Sequence, residues 1–146
     1  MGLTHYHRLV LPSDANHHGT LYAGSLLRLV LEAGYAAAWK HAGTDANLVL
    51  RRVLNLECLR PVPVGSVIDI EGTVLHRSQA YLVTGLRGRP LVEGQGPWLE
   101  ALLGFAQIDE SGKVDALPEA AGAGDVPNTD DWRRLHERLQ KLLHLR

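Results

Sequence analysis

The stretch SDANHHGTLYAGSLLRLVLEAG, residues 13–34, gathers side chains able to position a reactant and move a proton. Asn16, His17 and His18 lie in a polar loop, and Glu32 is the one carboxylate of the apolar run that follows. Imidazole exchanges protons near neutral pH, and a carboxylate can act as a general base. YAGS marks the start of a helix, where backbone N–H groups without helical partners stabilise developing negative charge. Gly24 lets another molecule approach that backbone closely. Each residue also has a structural use. Asn16 can hold a turn through its side chain, loop histidines can be solvated, and Glu32 can pair with Arg28 four residues earlier.

The elements that must carry these residues follow from pattern. HRLVLP reads as a short strand. From Ala23 to about His41, Leu26, Leu27, Val30, Leu31, Ala33, Ala37 and Ala38 cover most of a helix surface, which predicts burial on several sides. Gly43 is placed to stop the helix. VLNLECLR alternates Leu54, Leu56 and Cys58 against Asn55 and Glu57, and SVIDIEGTVLH alternates Ile68 and Ile70 against Asp69 and Glu71. QAYLVTGLRGRPLVEG reads as a hairpin around its Gly/Arg/Pro turn, and PWLEALLGFAQID as a long last strand. Five strands following one buried helix imply an α+β fold, an antiparallel sheet curled around the helix. This domain is expected over residues 1–118. EAAGAGDVPNTDD, residues 119–131, reads as a linker. Residues 132–146 read as an amphipathic helix, with Trp132, Leu135, Leu139, Leu142 and Leu143 at helical spacing, docked on the body or on a neighbouring subunit.

Composition narrows the class. At 146 residues one domain can bury roughly two-thirds of its unfolded surface. The net charge of −1 is spread over scattered acids and bases, so neither a nucleic-acid surface nor a membrane patch is expected. The N-terminus lacks a signal-peptide pattern, and no apolar run reaches membrane-spanning length. A lone cysteine, Cys58, excludes an internal disulfide and favours a reducing, cytoplasmic setting. His5, His7, His17 and His18 have no cysteine or carboxylate cluster at ligand spacing, so no metal is expected.

The order of these residues resembles the acyl-CoA thioesterases of the hotdog-fold superfamily. Asn16, Gly19, Thr20, Leu21, Tyr22, Gly24, Leu26, Leu27, Glu32, Ala33, His41 and Ala42 follow the family's loop and helix. LRPVPVGSVI (59–68) and LEALLGFAQIDESGKVDALP (99–118) resemble its later strands and turns. The resemblance spans about residues 8–118. It implies a hotdog fold, a homodimer joined edge to edge that pairs again into a tetramer or hexamer, and an active site between protomers. No cofactor is implied beyond coenzyme A as part of the substrate.

By this resemblance Asn16 orients the thioester or the water, and Gly24 with its neighbouring amides binds the oxyanion. The family's catalytic carboxylate falls on Leu31, and Ala23 replaces the first glycine of its pair. A one-residue step turns a helix by about 100°, so Glu32 does not aim where residue 31 aims. The remaining candidate bases are Glu32, His17, His18 and Glu57, the last at a strand position where relatives carry polar residues. Arg60, and Arg77 beside Ser78, match positions that hold the phosphates of coenzyme A. The implied reaction is hydrolysis of an acyl-CoA thioester to free acid and CoA. The alternative is a non-catalytic hotdog protein binding acyl-CoA or a protein partner, because Leu31 keeps packing and removes an acid.

Overall fold

The computed structural model describes residues 2–43, 45–118 and 126–144. Strand β1 (Thr4–Leu9) and a short 3-10 turn precede helix α1 (Ala23–Ala42), and then follow β2 (Leu48–Cys58), β3 (Val67–Arg77), β4 (Tyr81–Gly88), β5 (Leu99–Gln107) and helix α2 (Asp130–His144). The strands form one antiparallel sheet in the order β1-β3-β4-β5-β2. One strand therefore precedes α1 and four follow it. The expected hairpin around Gly88–Pro90 does not form, because residues 89–98 run as a loop and β4 pairs with β3 and β5.

α1 ends where the sequence predicts, at Gly43 with φ +95°, whose N–H donates to the Trp39 carbonyl. Small residues let it lie close on the sheet. Ala33, Gly34, Ala37 and Ala38 are all buried, and a Cβ on Gly34 would overlap the Leu103 side chain. The main core joins this face to Ile68, Ile70, Leu82, Leu86, Leu103 and Phe105. Burial is not all round, however. Leu27, Tyr35 and Trp39 stay exposed on a single ridge, and Leu31 on the same ridge is half-buried against the core.

The opposite face of the sheet is closed by α2. Trp132, Leu135 and Leu139 pack on Leu75, Val83 and Leu102, whose neighbours in each strand point the other way into the main core. The helix thus docks on the body of its own chain. It begins at Asp130, two residues before the sequence expectation, because Thr129 caps it: the Thr129 carbonyl accepts the Arg133 N–H at 3.0 Å. Residues 119–125 of the expected linker lie outside the described residues. An ion-pair chain ties α2 to the sheet, with Arg87 bridging Glu71 (3.1 Å) and Asp131 (2.7 Å).

Candidate active site

The loop before α1 is built around a buried acid that the sequence reading passed over. Asp14, 1% exposed, accepts the Leu11 N–H at 2.9 Å and Arg8 Nη2 at 2.8 and 3.0 Å, with Arg28 3.6 Å away. The Leu11 N–H foremost, with the Arg8 guanidinium beside it, holds the Asp14 carboxyl below the usual range despite burial. Its carbonyl accepts the Tyr22 N–H at 2.7 Å, which closes the loop over residues 15–21. The signal in the sequence was an acid inside a Pro-Ser-Asp turn with a basic residue on the preceding strand. The loop then docks on the segment before β3, through Leu21 N–H to the Val62 carbonyl (2.8 Å) and Val64 N–H to the Gly19 carbonyl (3.0 Å).

Asn16 is fixed within this loop through one side of its amide. Its Oδ1 accepts the backbone N–H of His18 (3.0 Å), the backbone N–H of Thr20 (3.2 Å) and the Thr20 hydroxyl (3.2 Å). Its Nδ2 has no partner among the described residues and remains a donor. The turn-holding use of Asn16 and a substrate-orienting use are therefore compatible: they employ different atoms. His17 and His18 project beside it, exposed, with ring centroids 3.8 Å apart.

The start of α1 supplies further donors. Tyr22 is the N-cap, and its carbonyl accepts the first helical N–H, from Leu26 at 2.8 Å. The amides of Ala23, Gly24 and Ser25 precede that bond and have no acceptor among the described residues. No acid occupies the first turn, so the positive end of the helix dipole is not neutralised there. The Tyr22 ring lies over Gly24, where an added Cβ would come within 2.6 Å of ring carbon Cε2.

Glu32 leaves this group. It accepts the Tyr6 hydroxyl at 2.6 Å, tying α1 to β1, while Arg28 reaches Asp14. The expected Arg28–Glu32 pair is not made. The ridge of Leu27, Leu31, Tyr35 and Trp39 points elsewhere: Tyr35 meets Phe105 of β5 edge-on at 6.1 Å, towards edge strand β2. Residues 31 and 32 thus point in different directions, separated by the 100° helical step.

Glu57 lies on the face of the sheet covered by α2, not beside α1. It pairs with Arg138 of α2 and stands opposite Glu100, away from the Asn16 loop. β2 has register shifts at Leu50/Arg52 and Val53/Asn55, and these bulges reset the alternation read from the sequence. Arg77 and Ser78 are also remote within the protomer. Arg77 donates to the Pro118 carbonyl and Ser78 Oγ to the Tyr81 carbonyl at 3.3 Å. They sit by the far end of α1, where burial foremost and then Arg77 lower the affinity of His41 for a proton; a helix of 20 residues spans about 30 Å.

Arg60 is placed differently. With Pro61, Pro63, Ser66, Leu91, Val92 and Gln95 it lines a cavity of about 440 Å³, a volume suited to a small ligand. Pro63 forms an isolated bridge with Thr20, so the cavity adjoins the segment on which the Asn16 loop docks. The Arg60 guanidinium makes no ion pair among the described residues.

Comparison with known proteins agrees with this architecture. A crystal structure of an apo-hexameric acyl-CoA thioesterase superposes with a TM-score of 0.75 at 27% identity, covering 98% of this chain and 89% of that one. An acyl-CoA hydrolase from Staphylococcus aureus, solved with butyryl coenzyme A, coenzyme A and coenzyme A disulfide, gives a TM-score of 0.76 at 23% identity over 98% of this chain and 85% of that one. Cytosolic acyl coenzyme A thioester hydrolases of Rattus norvegicus and Homo sapiens are 28% identical over 76 residues, 49% of this chain. That match spans only 20% of the length of those relatives. The family model of the thioesterase superfamily matches residues 18–91, half of the sequence. The chain belongs to the thioesterase superfamily.

Proposed function

We propose that this protein hydrolyses an acyl-CoA thioester to a free acid and CoA. The reading rests on one observation above all: Asn16, locked through Oδ1, presents Nδ2 from the loop that leads into three free amides at the start of α1. Amide donors fixed before the reaction stabilise charge that develops on the carbonyl oxygen. Asn16 orients the thioester or the attacking water, and the amides of Gly24 and its neighbours hold the oxyanion. His18, whose own N–H is bonded to Asn16, takes a proton from water as that water adds to the carbonyl. The C–S bond then breaks, and the proton passes to the departing sulfur. Arg60, at the neighbouring cavity, binds phosphates of the nucleotide end. Glu32 anchors the helix to β1 through Tyr6.

The exposed ridge of Leu27, Tyr35 and Trp39, with Leu50 and Val53 on edge strand β2, is the surface for a second copy. Edge strands of this kind are stabilised by pairing, and the substrate site then lies between protomers. Two such dimers or three complete the assembly. The cytoplasm is the compartment that suits the lone exposed thiol of Cys58.

The test is thiol release from short, long and aromatic acyl-CoAs. We expect turnover by wild type, a loss of about 10²-fold or more in His18→Gln, and activity within a few-fold of wild type in Glu32→Gln and Glu57→Gln. If wild type is inert and Leu31→Asp gains turnover, binding without hydrolysis is the function instead.

A further inference from the structure

We propose that His5, His7 and Asp69 form a binding site for one divalent transition-metal ion of the zinc type, on the outer face of the β1–β3 edge. The sequence expectation of no metal rested on the lack of a carboxylate at ligand spacing. The sheet supplies one from 62 residues further along: Asp69 on β3 stands directly opposite His7 on β1. His5 and His7 are two apart on a strand and therefore share a face, and their rings lie parallel within 6° at 5.9 Å.

The donor atoms are already near ligating positions. His5 Nδ1 lies 3.1 and 3.2 Å from the two Asp69 oxygens, and His7 Nε2 lies 3.4 Å from Oδ2. One ligand atom from each residue fits within 4.8 Å of the other two. A four-coordinate ion with bonds of about 2.0–2.1 Å sets its ligand atoms roughly 3.3 Å apart, so the imidazole–carboxylate separations need little adjustment. Two imidazoles with one carboxylate suit zinc, cobalt or nickel better than magnesium or calcium, which prefer all-oxygen shells. The fourth position opens to solvent, since His5 and His7 are both exposed. Arg89 Nη1, 3.8 Å from Asp69 Oδ2, is the one competing arginine or lysine there among the described residues, and its side chain is 57% exposed and able to swing aside. Among the described residues no other trio of His, Cys, Asp or Glu meets these distances. The ion would cross-link β1 to its one neighbour in the sheet. The site shares no residue with the proposed active site, so the two proposals stand or fall separately.

The experiment uses the full-length, untagged chain treated with chelator and titrated with Co²⁺, read by its visible d–d absorption and by calorimetry. We expect one ion per chain, displaced by Zn²⁺, and a rise in Tm of about 5–10 °C at a hundredfold excess over Kd. His7→Ala and Asp69→Ala are each expected to weaken binding at least tenfold, and the His17→Gln/His18→Gln double variant to bind as wild type does. Far-ultraviolet circular dichroism of the metal-free variants checks folding; His7 lies on the surface, and its loss leaves the strand intact. Binding that persists unchanged in His7→Ala, binding lost in the double variant, or an adventitious ion only, with millimolar affinity equal in all variants, overturns the proposal.

Discussion

Replacing Asn16 by aspartate separates the two uses of this side chain. Aspartate keeps an acceptor oxygen where Oδ1 takes the three bonds at 3.0, 3.2 and 3.2 Å, removes the Nδ2 donor and adds a carboxylate charge that also opposes an oxyanion. Alanine removes both. Each of the three bonds contributes about 0.5–1.5 kcal/mol at most in a site with water nearby, and the turn as a whole is worth about 1–2 kcal/mol by analogy with side-chain caps. Asn16→Ala is therefore expected to lower Tm by about 2–8 °C for a chain of this size. Asn16→Asp should stay within about 2 °C of wild type on the same scale. In thiol release from an acyl-CoA at saturating and limiting concentration, both variants should lose about 10²–10³-fold in kcat/KM, the effect of deleting one preorganised donor. The pattern that matters is loss of activity without loss of stability in Asn16→Asp. If that variant retains turnover within threefold of wild type, the side chain only shapes a turn, and the reasoning that places Nδ2 on the substrate is wrong.

Two further outcomes are expected. Gly88→Ala places a Cβ 2.5 Å from Nε1 of the fully buried Trp98 indole, and forced overpacking of that kind costs about 1–3 kcal/mol, measurable as a lower urea midpoint with unchanged m-value. Acid titration of stability gives the other. Asp14 is held below the ordinary carboxylate value by Leu11 N–H and Arg8, so the unfolded chain binds its proton first as pH falls. That stabilisation is complete above about pH 5, the upper edge of ordinary carboxylate titration, and is lost progressively below it; Asp14→Asn should flatten the acid limb of the Tm–pH curve.

The long periodic elements were legible because local pattern and tertiary context agreed. α1 closes at Gly43, the residue that its positive φ requires, and its Ala/Gly-rich face packs on the sheet. Edge strands were harder. HRLVLP reads as apolar, yet β1 begins earlier, at Thr4, and alternates His5, His7 and Leu9 outward with Tyr6 and Arg8 inward. Its length is set by pairing to β3, which no local window contains. Leu54 was misplaced by a related cause. Leu54 and Leu56, two residues apart, pack in different cores because bulges interrupt β2, and a bulge has no marker in LVLRRVLNLEC. Within the site, the loop, Asn16 and the helix start followed from short-range sequence. The Tyr6–Glu32 bond and the His5–His7–Asp69 group did not, since each depends on residues 26 or more positions apart.

The strand order also sets an order of assembly. β3, β4 and β5 meet through neighbouring connections, whereas Thr4 of β1 pairs with Gly72 across 68 residues. Closing so long a loop before its contacts form is entropically unfavourable, and topologies of this type nucleate on their local pairings. β1, whose partners lie 58–68 residues away against 41–59 for β2, is accordingly expected to be the last strand laid down. Until it arrives, Glu32 has no Tyr6 and Asp14 has no Arg8, so these two tethers of α1 and of the loop that carries Asn16 form only with that strand.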